Sequence, residues 1–412
     1  MNRIIRGIIL SLFFILLLNP LALASVGIED EVKAYLLGDF ETGEILEGYN
    51  AYQPIEIASI SKLMSYLIVM EHVDRGEIGL DDKVYIDDDV TRIKGSSLEL
   101  KEGEVFTVRQ LLEASLVVSA NDATYALAKY VAGSEEEFVK RMNYRAQSLG
   151  LESAYFINST GLPQGEEQNK MSTKDIFELS RYIIREFPET LTFTSIPNIH
   201  LENRDYDKEN TNPLLKEIKG VDGLKTGFTN KAGYCLVATI NIKGDNVETE
   251  DFRLISIIMG SGNEEKRKEL SKELIEYGLN NYTRRIIAKE NMPVDLIYLP
   301  SSKNEVIEVY PTRNFTITVR KGDSIHREVL VNEDISLPLK SMEKIGRLNI
   351  LLNGEILDQI DLVVHQDVEK ANIFIRIYRY VKRIIGKIIE KLLTIAVNDS
   401  DVLTIIKKSC KI

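Results

Sequence analysis

Three short polar segments carry the residue types needed for acyl transfer through a serine nucleophile. They occur in the order Ser59-Ile60-Ser61-Lys62, Ser119-Ala120-Asn121 and Lys225-Thr226-Gly227. In such a set a serine attacks a carbonyl carbon, a lysine takes the serine proton, and the remaining polar groups relay protons and hold the substrate. Each segment alone is a weak indication, but the K-T-G triplet occurs once and only the set beginning at Ser59 has this order. The combination predicts an acylating enzyme.

The first segment places a base beside the nucleophile. Helical periodicity begins near Ser59, after the non-helical stretch around Pro54. Lys62 follows at i+3, so its side chain lies on the same helix face one turn further on. Burial and a second cation, Lys225, would lower the pKa of Lys62 toward neutrality. The spacing predicts Ser59 as nucleophile and Lys62 as general base; the alternative is a helix cap followed by a solvated lysine.

The second segment interrupts a helical stretch that runs from Val108 to Val131. Ser119 is predicted to relay protons as a catalytic residue, and Asn121 is predicted to bind the substrate amide. The alternative role for both residues is to cap the helix that starts at Asp122. The two roles are compatible, because a break in a helix can also point polar side chains into a cleft.

The third segment is predicted to bind a substrate that ends in a free carboxylate. Lys225 and Thr226 would hold that carboxylate, while Gly227 lets a substrate backbone approach an edge strand closely. The backbone N–H groups of Phe228 and Ser59 are predicted to form an oxyanion hole. The alternative is an ordinary turn lysine beside a glycine.

The first 24 residues predict a secretory signal peptide. Arg3 and Arg6 precede the apolar stretch Ile8–Leu18, and the small-residue site Ala22-Leu23-Ala24 follows it. An uncleaved membrane anchor is the alternative, although the apolar run is shorter than the roughly 20 residues of a spanning helix. Either interpretation predicts an exported catalytic part on the outer face of the cytoplasmic membrane.

The last residues, 367–412, predict a basic amphipathic membrane-anchoring tail. Apolar side chains recur every three to four residues from Ile373 to Leu393, with six cations between them: Arg376, Arg379, Lys382, Arg383, Lys387 and Lys391. A helix with this pattern lies in the interface against anionic lipid headgroups. The alternative is a helix packed on its own protein with a solvated basic face.

Charge and composition restrict the partners further. Residues 369–412 carry a net charge of +6, whereas residues 25–368 carry −20 of the total of −12. An acidic body is repelled by a polyanion, so we expect no nucleic-acid partner. Cys235, Cys410 and the four scattered histidines have no metal-ligand spacing, and no disulfide framework, metal or cofactor is expected.

Periodicity divides the mature chain into two predicted domains. Residues 25–285 begin with a hairpin, continue with helices and end with strands at 233–242 and 252–259, which predicts an α+β catalytic domain with one sheet. Residues 286–366 contain short alternating strands and the turn Asn353-Gly354, which predicts a small β-sandwich-like domain. A spacer or partner-binding role is the leading interpretation of that second domain.

The chain resembles the serine-type D-alanyl-D-alanine carboxypeptidases, a group of low-molecular-mass penicillin-binding proteins. The resemblance covers essentially the whole chain and rests on four stretches: Ala58–Met64, Ser119–Ala123, Phe156–Leu162 and Val221–Thr229. It implies a serine β-lactamase/transpeptidase-like catalytic domain with an antiparallel sheet flanked by helices. It also implies that Ser59 releases terminal D-alanine from peptidoglycan stem pentapeptides and that β-lactam antibiotics acylate the same serine.

Departures from the pattern are mild. Ser61, Ala120 and Phe228 replace residues that are commoner in the family, and Phe228 stands where histidine or tyrosine is usual. Two alternatives remain at this point, a serine β-lactamase and a non-catalytic, membrane-tethered wall-binding protein. A class A β-lactamase uses a glutamate-held water, but the only E-x-x-L-N string is Glu276–Asn280, which follows Lys225.

Overall fold

A computed structural model describes residues 26–202 and 204–409 of the chain, and the side chains of residues 392–409 are not among the described atoms. The predicted signal peptide and Cys410 lie outside the described residues. The cleavage prediction and the expectation for that cysteine therefore stay predictions.

The chain divides into two compact units. The first extends to Asp245 and resumes at 251–283, and the second comprises 246–250 and the residues from Arg284 onward. The periodicity of the sequence did not predict that the short segment 246–250, between two strands of the first unit, belongs to the second.

A five-stranded antiparallel sheet forms the centre of the first unit, with the strand order β2-β1-β11-β10-β9. Short two-stranded pairs, β3-β6, β4-β5 and β7-β8, lie outside it. The strands are β1 Ala34–Asp39, β2 Ile45–Tyr49, β3 Ile55–Glu56, β4 Lys83–Tyr85, β5 Val105–Thr107, β6 Lys170–Met171, β7 Asn198–Leu201, β8 Tyr206–Glu209, β9 Val221–Thr229, β10 Gly233–Ile242 and β11 Phe252–Ser261.

Side chains on the two faces of this sheet belong to different hydrophobic clusters. Leu36 packs into the cluster that contains the helices around Ser59, whereas its neighbour Leu37 packs with the helix after β11. Alternation along a strand explains this separation, because successive side chains point to opposite faces. The sheet is therefore buried on both faces, and the K-T-G strand β9 is its edge, as the sequence predicts.

Nine helices accompany the sheet among the described residues of the first unit. Two of them, α3 and α4, lie on either side of the break at Ser119. The first starts at Val108, as periodicity predicts, and the second starts at Asn121, one residue before the predicted Asp122. The bounds are α1 Lys62–Asp74, α2 Asp88–Thr91, α3 Val108–Val117, α4 Asn121–Ala132, α5 Glu135–Ser148, α6 Thr173–Glu186, α7 Thr190–Thr194, α8 Leu214–Glu217 and α9 Glu264–Asn281.

The start of α1 differs from the sequence prediction. Ala58–Ser61 forms a 3₁₀ turn, and the α-helix begins only at Lys62. Most of α1 is buried, so its sequence shows little amphipathic contrast. Ser59 consequently lies on the turn before the helix and not on its first turn.

The second unit is an all-β domain followed by one long helix. Its main sheet has the strand order β13-β14-β18-β17-β16, and β12 pairs with β15. Asn353 and Gly354 form the predicted two-residue turn between β17 and β18. The strands are β12 Tyr282–Ala288, which begins at the end of the first unit, β13 Asp295–Tyr298, β14 Val306–Pro311, β15 Phe315–Arg320, β16 Ile325–Val331, β17 Lys344–Leu352 and β18 Glu355–Val363.

The predicted tail helix is present as α10, Ile373–Ser409. Its side chains are mostly exposed up to Lys391. Ile375 and Arg379 are the partly buried exceptions, and Arg379 donates hydrogen bonds to the carbonyl oxygens of Ser302 and Lys303 in the β domain. None of the described helices is long and apolar enough to cross a membrane.

Candidate active site

Ser59, the predicted nucleophile, lies on a strained turn. Ala58, immediately before Ser59, has a φ of 48°, in the left-handed region that non-glycine residues rarely adopt. The Ser61 hydroxyl donates to the Ala58 carbonyl at 2.7 Å and accepts from the Asn169 side-chain amide at 2.8 Å. Ser59 remains half-buried and reachable, while Ala58, Ile60 and Ser61 are buried around it. Ser59 is thus the one residue of the Ala58–Ser61 turn that is partly exposed.

Lys62 is fully buried, and its amine lies against the Ser59 hydroxyl. Its Nζ is 2.8 Å from Ser59 Oγ, 2.7 Å from Asn121 Oδ1 and 2.9 Å from the Thr160 carbonyl oxygen. Burial lowers the pKa of Lys62 well below its ordinary value, and the nearby Lys225 lowers it further. A buried lysine with uncharged hydrogen-bond partners is suited to accept a proton from Ser59.

The S-A-N segment lies between α3 and α4 in a left-handed bend. Ser119 has a φ of 60° and is buried. Ala120 is the residue before the first turn of α4, and no side chain caps that helix. The capping alternative is therefore wrong, since Asn121 is the first residue of α4 and its side chain contacts Lys62 instead.

The Asn121 amide is fixed on both sides. Its oxygen accepts from Lys62, and its nitrogen donates to the Lys94 carbonyl at 2.8 Å. Its neighbour Asp122 accepts hydrogen bonds from the backbone N–H groups of Leu98 and Leu100. A side-chain amide carries two N–H groups, and the contacts among the described residues account for one of those of Asn121.

The K-T-G strand borders the Ser59 turn. Lys225 is fully buried, and burial, followed by the charge of Arg267, lowers its pKa to about 7. Thr226 donates from its hydroxyl to the Thr211 hydroxyl at 2.7 Å. A Cβ added at Gly227 would lie 3.2 Å from Ser59 N, a tight contact, so glycine favours this close approach of β9 to the turn.

Phe228 extends from the same strand but stays 47% exposed. Its ring packs on Tyr234 of β10, with a centroid separation of 4.1 Å. The Arg267 guanidinium lies 5.9 Å from the centroid of the Tyr234 ring. The side chain of Phe228 is thus part of an aromatic pair that joins β9 and β10.

One component of the site was missed by sequence reasoning, the turn 158–161. It supplies the Thr160 carbonyl to Lys62, and a Cβ at Gly161 would lie 1.9 Å from the Ala58 carbonyl oxygen. The stretch Phe156–Leu162 was one basis of the family resemblance, but it received no role. This contact is made by a backbone carbonyl, which every residue carries, so no pattern of residue types identifies it.

The E-x-x-L-N string lies away from this chemistry. Glu276–Asn280 belongs to α9, whose buried residues pack in the cluster on the sheet face opposite to the Ser59 turn. It cannot hold a hydrolytic water beside Ser59. Within residues 26–202 and 204–409, no group of three or more His, Cys, Asp and Glu side chains could hold a metal ion.

The contact at Gly161 yields a prediction. Gly161→Ala should slow acylation of Ser59 by a fluorescent penicillin about a hundredfold, since displacement of a reacting group by about 1 Å costs that much. Gly165→Ala is the matched control, because Gly165 also has a positive φ (62° against 86°) but nothing lies within 4 Å of its Cβ position. Equal acylation rates for the two variants would contradict the prediction.

Comparison with known proteins agrees with this geometry. The family model described as D-alanyl-D-alanine carboxypeptidase matches residues 24–263, and the C-terminal domain of penicillin-binding protein 5 matches residues 282–370. D-alanyl-D-alanine carboxypeptidase DacF of Bacillus subtilis is 31% identical over 86% of this chain and 90% of its own length.

Two solved structures show the same architecture. Penicillin-binding protein 5 of Haemophilus influenzae has a TM-score of 0.63 and 28% identity, covering 82% of this chain and 98% of that one. Penicillin-binding protein D2 of Listeria monocytogenes, in its ampicillin-bound form, has a TM-score of 0.54 and 36% identity over 60% of this chain and 97% of its own. The predicted fold is confirmed, and the chain belongs to the D-alanyl-D-alanine carboxypeptidase family of serine-type hydrolases.

Proposed function

We propose that Ser59 is the nucleophile that removes the terminal D-alanine from peptidoglycan stem pentapeptides. The observation that carries the proposal is the buried Lys62 amine, with its lowered pKa, 2.8 Å from Ser59 Oγ. Relatives covering most of the chain are D-alanyl-D-alanine carboxypeptidases, which supports the same substrate class. No cofactor is needed, because serine, lysine and water supply all the groups of a two-step hydrolysis.

The first step forms an acyl-enzyme. Ser59 Oγ bonds to the carbonyl carbon of the penultimate D-alanine while the serine proton passes to Lys62 Nζ. The scissile C–N bond then breaks, the leaving D-alanine nitrogen takes the Ser119 hydroxyl proton, and the proton on Lys62 Nζ moves to Ser119 Oγ, which leaves Lys62 neutral again. In the second step the oxygen of a water molecule bonds to the ester carbon while one of its protons passes to Lys62 Nζ. The bond from that carbon to Ser59 Oγ then breaks, and Ser59 Oγ takes this proton from Lys62. Atoms and charges balance across the two steps.

Substrate binding is assigned to the edge strand and the S-A-N segment. Lys225 and Thr226 hold the terminal carboxylate, and the free N–H of Asn121 donates to the substrate amide. The backbone N–H groups of Ser59 and Phe228 stabilise the negatively charged carbonyl oxygen. The close approach of Gly227 to Ser59 supports this pairing of the two N–H groups.

A β-lactam is recognised by the same groups, since it also carries a carboxylate beside a reactive carbonyl. Penicillin-binding protein D2 of Listeria monocytogenes, a similar structure, was solved with ampicillin and with cefotaxime bound. We expect penicillins to form a long-lived ester with Ser59, because no carboxylate-held water equivalent to that of a class A β-lactamase is supplied by Glu276.

The decisive experiment compares two serines with the same S-x-x-K spacing. The full chain should bind a fluorescent penicillin covalently and release D-alanine from a peptide ending in D-Ala-D-Ala, and Ser59→Ala should do neither. Ser341→Ala is the matched control, because Ser341 precedes Lys344 at the same spacing but is exposed in the β domain. Label that persists in Ser59→Ala would refute the assignment, and rapid turnover of the label would indicate a β-lactamase.

The two lysines predict a bell-shaped pH profile of kcat/KM. Lys62 must be neutral, so activity rises as the pH rises through its lowered pKa. Lys225 must be protonated to pair with a carboxylate, so activity falls as the pH rises through about 7. A matched peptide with an amidated C-terminus should lack the descending limb. The same descending limb for both peptides would contradict the role of Lys225.

The family is exported to the cell-wall side of the cytoplasmic membrane. We place the chain on the membrane surface through α10, because most apolar side chains of this helix between Ile373 and Ile389 are exposed, from 41% for Ile384 to 79% for Phe374. Five of the six predicted cations are also exposed, and anionic lipid headgroups would pair with them. Arg379 is the sixth, and it fixes the start of the helix to the β domain.

Removal of α10 after Asn372 should abolish sedimentation with vesicles that contain phosphatidylglycerol. The cut avoids Val368 and Ala371, which are buried and hydrogen-bonded in the β domain. Lys382→Glu with Arg383→Glu should weaken binding more than the same charge change at Lys219 and Lys272 of the catalytic unit. Undiminished binding of the truncated protein would refute the proposal.

A further inference from the structure

The three partners of Lys62 Nζ match the two hydrogen atoms and the lone pair of a neutral amine. A neutral lysine has two N–H groups and one lone pair. Asn121 Oδ1 and the Thr160 carbonyl are acceptors only, so each takes one N–H. The lone pair is then left for the third partner, the Ser59 hydroxyl, which can donate to it.

The same three partners also fit the protonated amine. When the Ser59 proton moves to Nζ, the resulting ammonium has three N–H groups and no lone pair. Two of these N–H groups keep their acceptors, and the third points at Ser59 Oγ. Proton transfer therefore requires no rotation of the lysine side chain.

The turn that contains the Thr160 carbonyl is held in position by side chains of other elements. Glu135, at the start of α5, accepts from Ser159 N at 3.0 Å and from Ser159 Oγ at 2.6 Å. Ser65 donates to the Ser159 carbonyl at 2.6 Å. Within the turn, Asn158 Oδ1 accepts from Gly161 N at 2.6 Å. The carbonyl next to this anchored residue is the one that faces Lys62.

We infer that Glu135 is a positioning residue for the acylation reaction, acting through the Ser159–Thr160 turn to direct the Lys62 lone pair at Ser59. Glu135 contacts no reacting atom; it acts by holding the Thr160 carbonyl. The inference rests on the proposed roles of Ser59 and Lys62. It adds a second requirement, that the base be oriented as well as neutral.

The test measures the acylation rate constant and the dissociation constant of the noncovalent penicillin complex separately. Glu135→Ala should lower the rate constant about ten- to a hundredfold, leaving the dissociation constant unchanged. Glu135→Gln keeps an oxygen acceptor for Ser159 and should restore the rate. Glu136→Ala is the matched control, because Glu136 lies in the same first turn of α5 but its partner is the exposed Lys140.

The outcomes separate the inference from the proposed function. A wild-type rate constant in Glu135→Ala, or a loss confined to the dissociation constant, would overturn the inference. If Glu135→Ala does not fold, Ser159→Ala, which removes only the hydroxyl part of the anchor, should show a smaller fall in the rate constant, and no fall would overturn the inference. Labelling of Ser59→Ala would instead overturn the proposed function.

Discussion

The exclusion of water from the Lys62 amine is the constraint on which the site depends. An exposed lysine is protonated at neutral pH and cannot accept the serine proton. Lys62 is fully buried, and its hydrogen-bond partners are a hydroxyl, an amide oxygen and a backbone carbonyl, all uncharged. A carboxylate in contact would favour the ammonium form and remove the base. The nearby Asp122 carboxylate accepts hydrogen bonds from the 97–100 segment. It raises the pKa of Lys62, but this effect is smaller than the lowering by burial and by Lys225.

Three separate segments, which contain Ser59, Asn121 and Thr160, contact the buried Lys62 amine. Two of these segments contain a non-glycine residue with a positive φ. Ala58 and Ser119 both have positive φ values, which cost free energy in residues other than glycine. The conformation of Ala58 is held by the Ser61 hydroxyl and by close packing of Gly161 on its carbonyl. Ser119 is held because Ala120 N and Asn121 N bond to Ala114 and Ser96. The strained backbone thus lies immediately before Ser59 and at Ser119, the two serines assigned to the chemistry.

Residue type and spacing predicted what side chains contribute to this site. The i+3 relation of Ser59 and Lys62, the edge strand at Lys225 and the hairpin at Asn353 all follow from local rules and are confirmed. Local rules failed where the decisive contact is made by the backbone or is distant in sequence. The Thr160 carbonyl is 98 residues from Lys62, and Thr211 reaches Thr226 from a segment without a motif. The 3₁₀ turn before α1 likewise follows from tertiary packing around Ala58.

Burial lowers the pKa of both Lys62 and Lys225, but a different neighbouring cation lowers each pKa further. For Lys225 the second cause of its lowered pKa, after burial, is Arg267 of α9. Arg267 is itself buried, pairs with Glu264 through one nitrogen, and leaves Nε without a partner among the described residues. Its position beside the Tyr234 ring, on which Phe228 packs, connects α9 to the K-T-G strand. The helix on the opposite face of the sheet therefore contributes to the lowered pKa of Lys225, although none of its residues belongs to the S-x-x-K, S-x-N or K-T-G segments.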